Sequence, residues 1–350
     1  MKITEKLEDF RLLPFFVLFS MAVGILIGKF YGISDFELTP PIDAIKSIFY
    51  GTYTFDLPST LALGVVVGLF FMMYPAMTNV RIGDISLAVK SPRQIGVVMF
   101  FNYAIAPFFM YLLAVTFLSS YPELKTGVIL YGFAPCIAMV IVFTFLALGN
   151  NALALVLVAL NSIMQMILIP FYAKLLIGDV SFDVLLVGES VILYLGLPLL
   201  LGVLTRHYGV KKWGEAIFEK KFKPALQSMS IIGLLFTLVV MFALKGDLIV
   251  DEPKVILLVA MPITIFFVVM FVGTYLLGWK LGFNYGDSVA VAFNTTGRDF
   301  EIAIAIAITA FTPTVALATV VGPLIEVPVM IALVAFARNT RQRLFEGDDS

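Results

Sequence analysis

The chain has 350 residues, of which 61% are hydrophobic and 13% charged, and its mean hydropathy is +1.02. Soluble domains run near 45–50% apolar and about 25% charged, so the composition excludes a soluble domain and indicates an all-α polytopic membrane protein in a lipid bilayer. The net charge of -1, the single cysteine and the single histidine leave no basic excess for nucleic acid, no disulfide framework and no multi-cysteine or His-rich metal site.

A bilayer core about 30 Å thick needs about 20 apolar residues per crossing helix. Met1 to Arg11 is mixed in charge, and no small-residue cleavage signal follows the first apolar run, which therefore reads as a retained helix. Ten stretches have the length and apolarity of spans, at roughly 12–30, 58–77, 95–118, 126–148, 152–176, 184–204, 226–244, 255–279, 287–311 and 313–337. Residues 40–54 are too short and polar to cross and read as an interfacial or re-entrant segment.

Lys and Arg set the orientation. The amino-terminal tail, the loops around Arg81 to Arg93 and Arg206 to Lys223, Lys280 and the carboxy-terminal tail hold 16 of the 23. The opposite loops hold 6, and Arg298 is the remaining one. Both termini are expected in the cytoplasm of a cell-membrane protein. The basic loop 206–223 reads as a topological signal with a surface amphipathic character.

Ten spans divide near Gly178 to Asp183. A shift of 161 places the third span on the eighth, Cys136 on Gly297, Gln165 on Glu326, and Asn161 and Ser162 on Gly322 and Pro323. Each half, 1–177 and 178–350, then holds an odd number of spans, so the two repeats are inverted in the membrane. Inverted repeats interrupted at matching positions indicate a secondary transporter with its site at the breaks.

The breaks are identifiable. In the fourth span, Pro135 removes a backbone donor beside Cys136. In the ninth, Thr295, Thr296, Gly297, Arg298, Asp299 and Glu301 interrupt an apolar run. Non-helical backbone at membrane depth must face protein or a water-filled cavity, so both breaks should face inward and lie close together. Arg298, Asp299, Glu301 and Glu326 fall inside predicted spans, where a charge costs about 2.5–3.5 kcal/mol or more and is usually paired or functional. Arg298 and Asp299 read either as a self-compensating pair that holds the break open or as substrate contacts. Glu301 directly follows the break and suits a proton carrier. Glu326, between Pro323 and Pro328, reads as a second titrating group or as an acceptor for freed backbone donors. Cys136 is a small buried hydrophobe or a ligand, and Asn161 and Gln165 share a helix face and either bond between helices or line the cavity. Asn102, Tyr103 and Pro107 add a further polar interruption in the third span.

The stretches CIAMVIVFTFLALGNN with VLVALNSIMQ, and GRDFEIAIAIAI with VVGPLIEVPVMIALV, resemble the arsenite efflux permeases of the arsenical-resistance family, in the bile-acid/arsenite/riboflavin transporter superfamily. MMYPAMTNVRIGDI, FFNYAIAPFFMYLLA and IIGLLFTLVVMFALKGD resemble the same family in order and spacing. The resemblance implies ten helices in two inverted five-helix repeats, with broken, crossed helices 4 and 9. It also implies export of arsenite or antimonite against protons, with no cofactor. The family's cysteine falls on Cys136 and its two glutamates on Glu301 and Glu326. Where the family usually has Arg before the cysteine, Trp-Asn further on and Gly-Asn-Asn at the second break, this chain has Pro135, Phe143-Thr144 and Gly297-Arg298-Asp299. Either Arg298 supplies across the crossing the positive charge missing at position 135, balanced by Asp299, or the substrate differs.

The resulting expectation is a proton antiporter with alternating access. Cys136, Pro135, Gly297, Arg298, Asp299, Asn161 and Gln165 hold the substrate, arsenite bonds through the Cys136 sulfur, and Glu301 and Glu326 couple protons. The alternative is a sodium- or proton-coupled carrier of another small solute, such as an organic anion. An enzyme is not expected, since no Ser/His, paired-Asp or nucleotide-loop arrangement is present.

Overall fold

The computed structural model describes residues 13–31, 57–78, 91–137, 139–178, 182–251 and 253–345. The predicted interfacial segment 40–54 and the loop at Arg81 and Lys90 lie outside the described residues. Among the described residues the chain is helical throughout, with one isolated β-bridge.

The helices in order are α1 (Leu13–Tyr31), α2 (Leu57–Met77), α3 (Pro92–Leu118), α4 (Pro122–Phe133), α5 (Met139–Leu146), α6 (Asn151–Leu176), α7 (Val184–Trp213), α8 (Lys223–Asp251), α9 (Pro253–Lys280), α10 (Tyr285–Thr296), α11 (Phe300–Ala310) and α12 (Pro313–Phe345). Six helical runs among the described residues have the length and apolarity to cross a membrane: Pro92–Leu118, Asn151–Leu176, Val184–Trp213, Glu215–Val240, Ile256–Lys280 and Thr314–Phe345. The predicted fourth and ninth spans are each two shorter helices, α4 with α5 and α10 with α11.

Local chemistry sets these ends. Asn150, Asp183, Asn284 and Asp299 cap α6, α7, α10 and α11 by accepting a backbone N–H of the first turn, which satisfies a donor that the helix itself leaves open. α3 and α7 each carry one π-helical turn, Phe101–Ile105 and Ile192–Gly196, followed by Pro107 and Pro198. Pro107 has no N–H for the carbonyl of Tyr103 one turn before it, and the Tyr172 hydroxyl donates to that carbonyl instead.

Two groups of packed helices emerge. α8 lies against α1 and α2, and α2 also meets α7. The second group is built on α3, α4, α9, α10, α11 and α12, with α6 closing one side and α7 touching α11. Aromatic and branched side chains fill it, and Phe266, Phe267, Phe271 and Phe293 are each fully buried.

The basic stretch 206–223 is not a loop. α7 continues through it to Trp213, and a short helical run, Glu215–Phe222, turns back into α8. Arg206 is 8% exposed, donating to Glu219 at 2.7 Å and to the Thr78 carbonyl at 3.1 Å. Its charge is thus partly spent on fastening α7 to α2, while Lys211, Lys212, Lys220 and Lys221 stay on the outside.

Candidate functional site

The two breaks meet. Ala134 to Ile137 and Gly297 to Asp299 run antiparallel, with Pro135 opposite Arg298. The Cys136 amide donates to the Gly297 carbonyl at 3.0 Å, and the Asp299 amide donates to the Ala134 carbonyl at 2.8 Å. These two bonds satisfy backbone that has left the helical ladder in an apolar interior, where an open donor or acceptor costs several kcal/mol. They also place Pro135 and Arg298 as the pair whose own amides the bridge does not use. A proline at 135 therefore breaks the helix without breaking the crossing.

Gly297 is needed for the close approach. A β-carbon there would lie 2.5 Å from Cγ1 of Val140 and 3.1 Å from Cβ of Cys136, closer than such atoms pack. Cys136 is 1% exposed, and Gly297, Arg298 and Asp299 are buried with it. The crossing is packed shut around the thiol.

Arg298 and Asp299 do not form an ion pair with each other. The Arg298 guanidinium turns back to the ends of two half-helices. Its Nε donates to the Thr296 carbonyl at 3.3 Å and Nη1 to the Gly132 carbonyl at 3.5 Å. Its Nη2 donates to Oδ1 of Asn102 at 2.9 Å and to the Thr295 carbonyl. The ring of Phe266 lies 5.0 Å from the guanidinium carbon. Asp299 points the other way and accepts from the Ile302 amide at 3.1 Å, capping α11.

The charges are thereby sorted by helix polarity. The positive group sits at the carbonyl ends of α4 and α10, and the carboxylates of Asp299 and Glu301 sit in the cap and first turn of α11. Each sign lies where the helix dipole favours it. Glu326 comes in from α12, accepting from the Tyr131 hydroxyl at 2.8 Å, with its other oxygen buried and without a hydrogen-bond partner among the described residues. Gly322, one turn earlier, lets the Tyr131 ring come close enough for this bond: a β-carbon there would lie 2.8 Å from the ring.

A buried amide cluster extends from the crossing. Nδ2 of Asn102 donates to Oδ1 of Asn161 at 3.3 Å and to the Asn294 carbonyl at 3.0 Å. The Tyr103 hydroxyl donates to the Asn161 carbonyl at 3.2 Å. Gln165 lies one turn along α6 from Asn161 and is fully buried. Nδ2 of Asn161, both polar atoms of the Gln165 amide, Oδ1 of Asn294 and Oδ2 of Asp299 have no hydrogen-bond partner among the described residues. A buried polar atom left so costs about 1–3 kcal/mol.

Of the residues singled out from the sequence, Pro135, Cys136, Gly297, Arg298 and Asp299 come together at the crossing. Asn161 joins them through Asn102, and Glu326 stands on the α4 side. Phe143 and Thr144 do not join them: Phe143 stacks on Phe293 with centroids 5.9 Å apart, and the Thr144 hydroxyl donates to the Val140 carbonyl of its own helix at 2.6 Å. Sequence reasoning missed Tyr131 and Phe266, which look like ordinary aromatic residues of apolar spans. It singled out Asn102 with no hint that Asn102 links Arg298 to Asn161.

Residues 66–252 match the model of the Sodium Bile acid symporter family. The chain is 34% identical over 352 residues to the arsenical-resistance protein Acr3 of Corynebacterium glutamicum, covering 97% of this chain and 91% of that protein. It is 35% identical to the arsenical-resistance protein Acr3 of Alkaliphilus metalliredigens, over 90% of this chain and 95% of that one. The chain belongs to the arsenical-resistance branch of this family. It is also 35% identical to an uncharacterised transporter of Synechocystis, over 94% of this chain and 88% of that one. It is thus a multi-pass membrane transporter, and the crossing is where such a carrier departs from continuous helix.

Proposed function

We propose that the protein exports arsenite, and antimonite with it, from the cytoplasm by proton antiport with alternating access. The observation that carries this reading is the crossing itself, which holds the only thiol of the chain against Gly297 in a protein whose relatives are named for arsenical resistance. Arsenite is a neutral trihydroxide near pH 7. It needs hydrogen-bond partners and can bond reversibly to sulfur. The orphaned polar atoms of Asn161, Gln165 and Asp299 would meet its hydroxyls, with the backbone at Pro135 and Gly297 forming the wall and Arg298 setting the charge. One sulfur bond suits a carrier, because a three-thiolate site would release the solute too slowly.

Proton coupling falls to Glu301 and Glu326. Glu301 follows the cap of α11 directly, and Glu326 keeps one carboxylate oxygen buried and without a hydrogen-bond partner among the described residues. Ten spans in two inverted repeats, 1–177 and 178–350, account for two breaks that meet antiparallel, and the shift of 161 pairs Cys136 with Gly297. Both termini then face the cytoplasm.

The test is arsenite and antimonite uptake into everted vesicles, with and without a pH gradient. The wild type should transport and lose most of its rate when the gradient collapses, and Cys136→Ala should insert normally and lose transport. Equal uptake by the two proteins would remove the thiol from the mechanism. A sodium-coupled carrier of an organic anion is the second reading, favoured by the family's description. Uptake that follows a sodium gradient and ignores the pH gradient would select it.

A further inference from the structure

The end of a helix leaves carbonyls without partners and carries partial negative charge. Two such ends, those of α4 and α10, converge at the crossing. Gly132, Thr295 and Thr296 present their backbone carbonyls there, and Asn102 adds its side-chain oxygen from the π-helical turn of α3. Asn102 is 0% exposed, as are Thr295 and Thr296. In transporters, carbonyls at unwound helix ends are the groups that ligate small coupling cations. An oxygen cage of this kind in a membrane interior is unstable without positive charge.

In this chain the charge is covalently attached. All three guanidinium nitrogens of Arg298 are engaged by the four oxygens, Phe266 covers its face, and the side chain is 0% exposed. Among the described residues no carboxylate lies within ion-pair distance of it, so the groups in direct contact with its nitrogens are the two helix ends and Asn102.

We infer that this cage is an alkali-cation site with a tethered occupant: Arg298 fills the position that a free cation would take between α4 and α10. Arg298 is then a positioning residue. It locks the two half-helix ends together throughout the cycle, and no alkali ion binds or leaves at that point. The inference goes beyond the arsenite reading and holds whichever solute is carried, since neither solute nor proton enters the cage.

The experiment uses the full chain purified in detergent, with thermal unfolding followed through Trp213 and Trp279 at constant ionic strength. The wild type should unfold at the same temperature in sodium, potassium and choline chloride. Arg298→Gly should unfold several degrees lower and regain most of that loss with millimolar guanidinium or with sodium, but not with choline, because a ligand bound only by the folded state stabilises it. An Arg298→Gly protein that no small cation raises by more than it raises the wild type would overturn the inference. Should Arg298→Gly fail to insert, Arg298→Lys and Arg298→Met decide the point by inserted yield. Retention of the lysine variant with loss of the methionine variant supports a required charge; equal yields overturn it. Transport is not a readout of either arm, so failure of the arsenite assay leaves this result standing.

Discussion

Position 135 tolerates proline because the crossing takes its amides from 136 and 299 and its carbonyls from 134 and 297. Pro135 and Arg298 face each other as the non-hydrogen-bonded pair of a two-residue antiparallel bridge, the arrangement that brings opposed residues closest, with Cα atoms about 4.5 Å apart. Family members with arginine before the cysteine would carry their charge on one strand of this pair; this chain carries it on the other. Two guanidinium groups could not share the place, since like charges directly opposite destabilise even a solvated pair. Pro135→Arg should therefore lower the inserted yield sharply, and adding Arg298→Asn should restore it. Extracted protein quantified on a sizing column checks both steps. A Pro135→Arg protein as abundant as the wild type would show that the two positions do not compete for one charge.

At the scale of the element, each break is a pair of helix ends and obeys the rules of helix ends. Asp299 closes α11 by accepting the Ile302 amide at 3.1 Å. Loss of an N-cap acceptor costs about 0.5–2 kcal/mol, while asparagine caps as well as aspartate. Asp299→Ala should thus lower the unfolding temperature in detergent and Asp299→Asn should leave it nearly unchanged. An equal fall in both would mean that the carboxylate charge, not the cap, supports the crossing. The positions of the breaks were legible in the sequence because proline and a run of polar and charged residues stand out in apolar spans. Their nearness was legible too, since non-helical backbone at membrane depth has to face protein or a water-filled cavity. The parting of Arg298 and Asp299 was not: adjacent charges suggest a pair, but successive side chains of an extended segment point to opposite faces. Each then went to the helix end of opposite sign. The helical course of 206–223 was also hidden, because its many lysines look like loop composition while Arg206 and Glu219 bond inside the fold.

For the molecule as a whole, burial and packing define the problem that transport has to solve. The thiol lies at a sealed crossing held by α3, α4, α9, α10 and α12, whereas α1, α2 and α8 form a separate packed group that reaches the rest partly through α7. The proposed alternating access would have to open the crossing without parting the bridge, whose loss would orphan four backbone groups in an apolar interior. The Lys and Arg asymmetry, 16 against 6, leads to the expectation that the carboxy-terminal end of α12 is in the cytoplasm and the turn between α3 and α4 outside. Cys136→Ala gives a cysteine-free background. In it, Ser119→Cys, exposed between α3 and α4, should react with an impermeant maleimide added to intact cells, and Gln342→Cys, exposed near the end of α12, only after lysis. The reverse pattern would invert the topology and put both termini outside.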